Sequence, residues 1–428
     1  MIKPENQRIS TILAFALIPL PGFATDIYIP SLPNMGLALH TGSLQVQLTL
    51  TLFLISYGLS QIFIGSVLDS FGRYRFSTWA IAIFTVASLS IAITGNIYLV
   101  YLMRVIQGIT VATIVVAKRA FFIDQFEGSR LQNYVSLFTI IWSAGPILAP
   151  FLGGFLEKSF GWNANFYFLA AYGALFTALE LVFSGETIRF RSAFKLREIT
   201  GVYFEMFKAT DFTLGVLMLC LAYSMVMVYN MTGAYIIEHQ FELSPVIAGN
   251  VSLMMGLAWM AGGMLGKMLI KRPFFKKLLI NSGLQLLFVG SMIVSQHWLT
   301  GLYSLIFFAF LIHVGAGFTY NNYFTFCLSQ FPKNAGVAGG LTGGSVYIIL
   351  SLITYFVISF IPPKDEANLA YSYLVIIVPS FILMWYIKKN GSSRLDTDIT
   401  NGRPSIGLQQ NSIEKQESGA SYRHLQDN

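Results

Sequence analysis

Residues 46–73 read VQLTLTLFLISYGLSQIFIGSVLDSFGR. No Asp, Glu, Lys or Arg occurs from Val46 to Leu68, and the run then ends in Asp69, Gly72 and Arg73. About 20 apolar residues in a helix cross a bilayer, so this stretch reads as a membrane-spanning helix stopped by charge. The chain around it repeats the pattern. Of its 428 residues, 55% are hydrophobic and 11% charged, and the mean hydropathy is +0.63. Ordinary soluble domains carry about a quarter charged residues, so this chain lacks the charge to cover a water-facing surface. Disordered, collagen-like and disulfide-scaffold classes are excluded as well, because apolar residues dominate and only Cys220 and Cys327 are present. Both cysteines lie inside apolar segments, where they read as small buried hydrophobes.

Working outward, apolar runs bounded by charge or turn residues give twelve spans. They cover approximately 9–29, 44–68, 76–95, 98–121, 133–156, 164–184, 212–237, 246–269, 277–296, 299–324, 335–361 and 369–388. Pro19, Pro21 and Asp26 interrupt the first, and no cleavable signal peptide is evident. The net charge of +7 would raise nucleic acid as a partner for a soluble protein; here the placement of charge matters more than its sum. Of 27 Lys and Arg residues, 24 fall on the side that carries both termini, two (Lys158 and Lys364) on the other, and Arg104 inside the fourth span. The positive-inside rule therefore puts both termini in the cytoplasm, with the chain multi-pass in the plasma (inner) membrane.

The basic stretch 185–211, with Arg189, Arg191, Lys195, Arg197 and Lys208, divides the spans six and six. The reading is an all-α integral membrane protein of 12 transmembrane helices in two six-helix bundles: residues 1–184, a linker at 185–211, residues 212–389, and a polar tail at 390–428 that reads as disordered. Glycine-rich helix ends followed by short basic loops recur at 65–75 and 266–277, as duplicated transporter halves have.

Several segments, in order, carry a resemblance. They are PLPGFATDIYIPSLPNM (19–35), the stretch 46–73, LMRVIQG (102–108), KRAFFIDQFEG (118–128), AGPILAPFLGG (144–154) and GWNANFYFLAAYG (161–173). YNMTGAYIIEHQFELSPVIAG (229–249) and FPKNAGVAGGLTGG (331–344) extend it more loosely. Together they resemble the bicyclomycin-resistance (Bcr/CflA) branch of the drug:proton antiporters in the major facilitator superfamily, over nearly all of residues 8–388.

That resemblance implies roles. The Gly65-x-x-x-Asp69-x-x-Gly72-Arg73 run matches the cytoplasmic signature, whose glycines permit close helix approach and a tight turn. Asp69 would complement the positive N-terminus of the third span. The family pattern implies that Arg73 pairs with Asp124, with Asp69 and Arg119 nearby, as a latch between the halves; Ser70 stands where the family has a basic residue. Gly145, Pro146, Pro150, Gly153 and Gly154 match the antiporters' fifth-helix run, which is held to limit leak between states.

Charge at membrane depth is expensive and is functional by default. Asp26 and Arg104 are such residues, and the resemblance makes Asp26 the proton carrier with Arg104 as its counter-ion; the alternative is a helix cap beside a structural arginine. His313 is either a second proton site or a histidine hydrogen-bonded across helices. Tyr28, Tyr57, Gln61, Gln107, Tyr223, Tyr229, Asn230, Trp259, Tyr320, Asn321 and Asn322 make an aromatic, sparsely polar cavity lining, suited to amphipathic solutes. No phosphate-binding Gly-x-x-x-x-Gly-Lys-Ser/Thr run, metal-ligand cluster or nucleophile–base arrangement is evident. The expected protein is no enzyme and uses no cofactor or metal. It would be a monomeric, proton-coupled exporter of drug-like molecules; an endogenous-metabolite carrier and a non-transporting sensor on the same fold are the other readings.

Overall fold

The first span is broken, and its breaks place the site. In the computed structural model, which describes residues 4–188, 196–331 and 335–390, it runs as α1 (Gln7–Leu17), α2 (Leu20–Asp26), a 3₁₀ turn at Ile29–Ser31 and α3 (Leu32–Ala38). Pro19, Pro21, Pro30 and Pro33 each remove a backbone donor and fix φ, which interrupts a helix. The span therefore reaches beyond residue 29, where its apolar run alone would end it.

Eleven long helices follow: α4 (Ser43–Phe71), α5 (Arg73–Ile93), α6 (Ile97–Gln125), α7 (Gly128–Phe160), α8 (Asn163–Phe183), α10 (Thr210–Tyr235), α11 (Pro245–Met268), α12 (Phe274–Ser295), α13 (Leu302–Ser329), α14 (Ala335–Phe360) and α15 (Glu366–Asn390). A π-helical turn, Ile236–Gln240, prolongs α10. Eleven segments among the described residues are long and apolar enough to cross a membrane. The 33-residue α7, with Pro146 and Pro150 inside it, completes the expected alternation of up and down. Ile93, Leu287, Phe307 and Phe356 are exposed on the outer flanks, as lipid-facing side chains are.

Equivalent helices of the two halves pack alike. Helix α4 packs on α6 as α11 does on α13, and α5 on α8 as α12 does on α15. Two broad contacts join the halves, α7 with α11 and α4 with α14. At the face away from the termini, here the distal face, further bonds cross between halves: Gln47 Nε2–H donates to the Met231 carbonyl (2.7 Å), and the Tyr235 hydroxyl to the Leu32 carbonyl (3.2 Å).

The stretch between the halves, which the sequence pattern presents as a linker, contains a helix, α9 (Leu196–Lys208). Its Met206 is buried, and the Tyr203 hydroxyl donates to the Ile62 carbonyl at 2.6 Å. Arg189, Arg191 and Lys195, Lys333, and the tail after residue 390 lie outside the described residues.

Candidate functional site

Arg104 projects from α6 into the first half and has no exposed surface. Its guanidinium is held by two backbone carbonyls, the Gln107 amide and two ring faces. Nη1 donates to the Ala24 carbonyl and to Gln107 Oε1, both at 2.9 Å, and Nε donates to the Thr49 carbonyl at 3.3 Å. It stands 4.7 Å from the Tyr28 ring centroid and 4.4 Å from that of Phe53, near enough for cation–π attraction. The broken first span makes this possible, since a carbonyl at the end of α2 is free to face a neighbouring helix. Nη2 has no hydrogen-bond partner among the described residues.

Asp26 is 2% exposed, at the last residue of α2. Among the described residues no ion pair joins it to Arg104; its Oδ1 accepts from Asn230 Nδ2 of α10, in the other half, at 3.3 Å. Two polar groups thus meet across the junction of the halves, with Arg104 in the same region of the first half. Arg104 is held directly by carbonyls, Gln107 and two rings, and Asp26 acts on it through space without a direct ion pair.

The cavity residues do not form one lining. Tyr57, Tyr223, Trp259 and Tyr320 form a continuous aromatic wall, which Tyr347 of α14 joins: Tyr57–Tyr347 ring centroids are 5.0 Å apart, Tyr223–Trp259 5.3 Å and Trp259–Tyr320 5.1 Å. Tyr347, Thr49 and Phe53 went unnoticed in the sequence, because ordinary apolar-span residues carry no mark of what they face. Gln61 borders α14 beside Gly343. By contrast, Gln107 is interior to the first half, donating to Ser88 Oγ at 2.8 Å. Tyr28 lies with it, its hydroxyl 2.9 Å from Thr49 Oγ1. Asn321 and Asn322 face Gly266 where α13 packs on α11, and Asn322 Nδ2 donates to its own helix at Phe318 (2.8 Å). Tyr229 turns into the second half against His313, with centroids 5.4 Å apart.

His313 is fully buried, and its Nδ1–H donates to the Ala309 carbonyl one turn back, at 2.7 Å. This bond lies within α13, not across helices. Nε2 has no partner among the described residues.

On the terminal face, Arg73 holds Asp69 at 2.6 Å, pairs closely with Asp124, and donates to the Ala120 carbonyl at 3.2 Å. The Thr187 hydroxyl donates to Asp124 Oδ2 at 2.7 Å. All these residues belong to the first half except Thr187, at the start of the 185–211 stretch, so none of these contacts reaches the second half. Gly72, at φ 105°, makes the turn that a side chain would strain. Gly65 is not tightly packed: a Cβ there would meet only Val116, at 3.9 Å. Asp69 does not cap α5 either. Glu186, 113 residues away, accepts from the Arg73 backbone N–H at 3.1 Å and satisfies the helix start. Arg119 makes no ion pair among the described residues, whereas its neighbour Lys118 pairs with Glu180 at 2.6 Å, at 8% and 0% side-chain exposure. Removing one partner of a buried pair strands the other charge, at about 3–5 kcal/mol. Glu180→Gln should therefore lower the unfolding temperature sharply, while Lys118→Met with Glu180→Leu should recover most of the loss. Scanning fluorimetry in detergent reads both.

The fifth-helix run divides between two contacts. Gly145 and Gly153 face the first span at Pro19 and Ile27, with Pro146 against Gly22. Gly154 faces Pro245 of α11, and the Pro150 carbonyl faces Gly249. One helix thus packs closely against its own half and the opposite half through small residues.

Two pseudo-equivalent helical bundles around buried charge and an aromatic wall define a membrane carrier of the alternating-access type. The chain belongs to the Major Facilitator Superfamily, whose family model matches residues 15–355. Its relatives include a bicyclomycin resistance protein homolog of Haemophilus influenzae, 31% identical over 45% of this chain and 49% of that one, so this match spans about half of either protein. Multidrug resistance protein D of Escherichia coli is 26% identical over 79% of this chain and 86% of its own. These names bear out the resemblance read from the ordered motifs. Among solved structures, a D-xylose–proton symporter matches with a TM-score of 0.64 at 16% identity, over 88% of this chain and 96% of that one. A bacterial homolog of the human lysosomal transporter Spinster, inward-facing and unoccupied, matches with a TM-score of 0.69 at 14% identity, over 90% and 96%. They share the fold.

Proposed function

We propose that this chain is a proton-coupled exporter of drug-like or amphipathic molecules, working by alternating access as a monomer in the inner membrane with both termini cytoplasmic. The observation that carries the reading is Asp26: a carboxylate 2% exposed at the junction of the halves, hydrogen-bonded to Asn230 across it and close to the buried Arg104. Protonation removes a charge whose burial is costly, so the proton state of Asp26 biases which way the halves rock. The names of the relatives support drug efflux, and the wall of Tyr57, Tyr223, Trp259, Tyr320 and Tyr347 supports an apolar, ring-bearing cargo. The asymmetry of Lys and Arg supports the orientation. The working units are residues 1–184 and 212–389, joined by 185–211, with 390–428 a cytoplasmic tail. The Arg73–Asp69–Asp124 cluster braces the cytoplasmic end of the first half, and it acts as the latch the resemblance implies only through the surface it offers the second half; His313 stays a structural residue of the second half.

A susceptibility screen tests the cargo. A strain lacking the gene should become more sensitive to some lipophilic or cationic drugs than its complemented parent. No change in any drug, with one endogenous compound accumulating inside, would move the assignment to a metabolite exporter.

A further inference from the structure

The distal closure between the halves contains two carboxylates that share one donor. Asn34 of α3 gives its Nδ2–H groups to Glu157 Oε1 of α7 at 2.9 Å and to Glu238 Oε2, at the distal end of the α10 span, at 3.4 Å. Glu157 belongs to the first half and is 7% exposed; Glu238 belongs to the second and is half-buried. Their other oxygens, Glu157 Oε2 and Glu238 Oε1, have no hydrogen-bond partner among the described residues. Nor has Asn165 Oδ1, a fully buried acceptor of α8 whose Nδ2 donates to Ser31 Oγ at 2.7 Å beside Glu157. The Ser31 hydroxyl and the Asn34 amide face Glu157 as donors, and Asn34 is the donor to Glu238, so the acceptor oxygens of the cluster still outnumber its donors.

We propose that Glu157 and Glu238 form a proton site in the distal gate, filled when the halves close and emptied to the distal solution when they part. Two carboxylates drawn together by one amide, one of them buried and the other half-buried, favour a single shared proton over two charges. A proton on one supplies a donor, turns repulsion into a hydrogen bond, and ties α7 to the end of α10. When the halves separate, each carboxylate regains water and the proton leaves.

The other titratable groups in the neighbourhood do not supply a counter-charge. They are Tyr235 and His239 at the end of the α10 span, Glu242 after it, Lys158 beside Glu157, Tyr167 on α8, Lys364 and Asp365 before α15, and Glu366, whose N–H donates to Gln240 at 2.8 Å. None forms an ion pair with either carboxylate among the described residues. Asp26 and Tyr28 lie deeper on the first span, and Asp26 is about two turns from Asn34 in sequence. A distal cleft of about 480 Å³ is lined by Pro33 and His239, the chain neighbours of Asn34 and Glu238, together with Tyr235 and Lys364. This site is separate from Asp26 and does not depend on that residue's role in coupling.

Spin labels at Ser159→Cys and Thr300→Cys, exposed distal positions on opposite halves, read the gate in the full chain reconstituted in liposomes. The expected result is a short distance at a pH of about 5.5 that lengthens at about 8.5. Glu238→Gln, which removes the repulsion yet keeps an amide to bond, should hold the gate short at both, and Glu238→Asp should restore the response. Asp26→Asn in the labelled background should keep the distal response even where it loses coupled transport. A Glu157→Gln/Glu238→Gln protein that elutes as a monodisperse peak and opens with the parent's pH midpoint would overturn the proposal. So would a distance that follows sodium at constant pH, since the site would then hold a metal cation instead.

Discussion

Vesicles containing Asp26→Asn should fail to concentrate substrate against an imposed pH gradient, while exchanging it across the membrane without one. Each pH unit is worth about 1.36 kcal/mol. A carrier that exchanges one proton per substrate can therefore sustain roughly a tenfold concentration ratio per pH unit, and the variant's ratio should collapse to one. Folding should survive the change. The amide carbonyl introduced by Asp26→Asn can still accept from Asn230 Nδ2, as Asp26 Oδ1 does at 3.3 Å. Arg104 should stay seated too, because the Ala24 and Thr49 carbonyls, Gln107 and the rings of Tyr28 and Phe53 hold it. Gradient-driven accumulation equal to that of the parent would remove Asp26 from the coupling mechanism.

Gly154→Val should trap the carrier with its distal face open. A Cβ at 154 would lie 2.6 Å from the Pro245 carbonyl oxygen and 3.2 Å from Val246 Cα, both backbone atoms of α11. No rotamer relieves such a contact, so α7 and α11 must separate where they join the halves. Overpacking of this kind costs about 1–3 kcal/mol, and the cost falls on the closed state alone. The open state should gain roughly 5- to 150-fold in population. Thiol labelling of Ser159→Cys should speed up accordingly, while transport falls. Gly65→Ala provides the contrast, because a Cβ there has space; it should leave labelling of this face unchanged. Equal labelling of Gly154→Val and its parent would show that α7 does not gate this face.

Much of the fold was legible because a bilayer makes two demands that sequence displays directly. A spanning helix needs a long uncharged run, as at 46–68, and basic residues gather on one side. The broken first span was half legible: Pro19 and Pro21 announced a disturbance, but the continuation through Pro30 and Pro33 to Ala38 exceeded the apolar run. The amphipathic α9 was missed because one apolar face among basic residues reads as linker. At the terminal face the Arg73–Asp124 contact followed from a motif. Glu186 as the cap of α5 did not, since a capping contact across 113 residues leaves no local signal.

The sequence by itself determined that this is a twelve-helix carrier, where its few deep charges lie, and where small residues gather on its fifth span. Those properties depend on what each residue is, and the membrane penalises charge and unpaired backbone whatever the neighbours are. Only the tertiary structure decided which groups meet. It set Asp26 against Asn230 rather than in an ion pair with Arg104, turned Gln107 and Tyr229 away from the aromatic wall, and joined Glu157 to Glu238 through Asn34. Partners in a helical bundle are chosen by packing angle and by where prolines free a carbonyl, and neither is written in the spacing of the residues concerned.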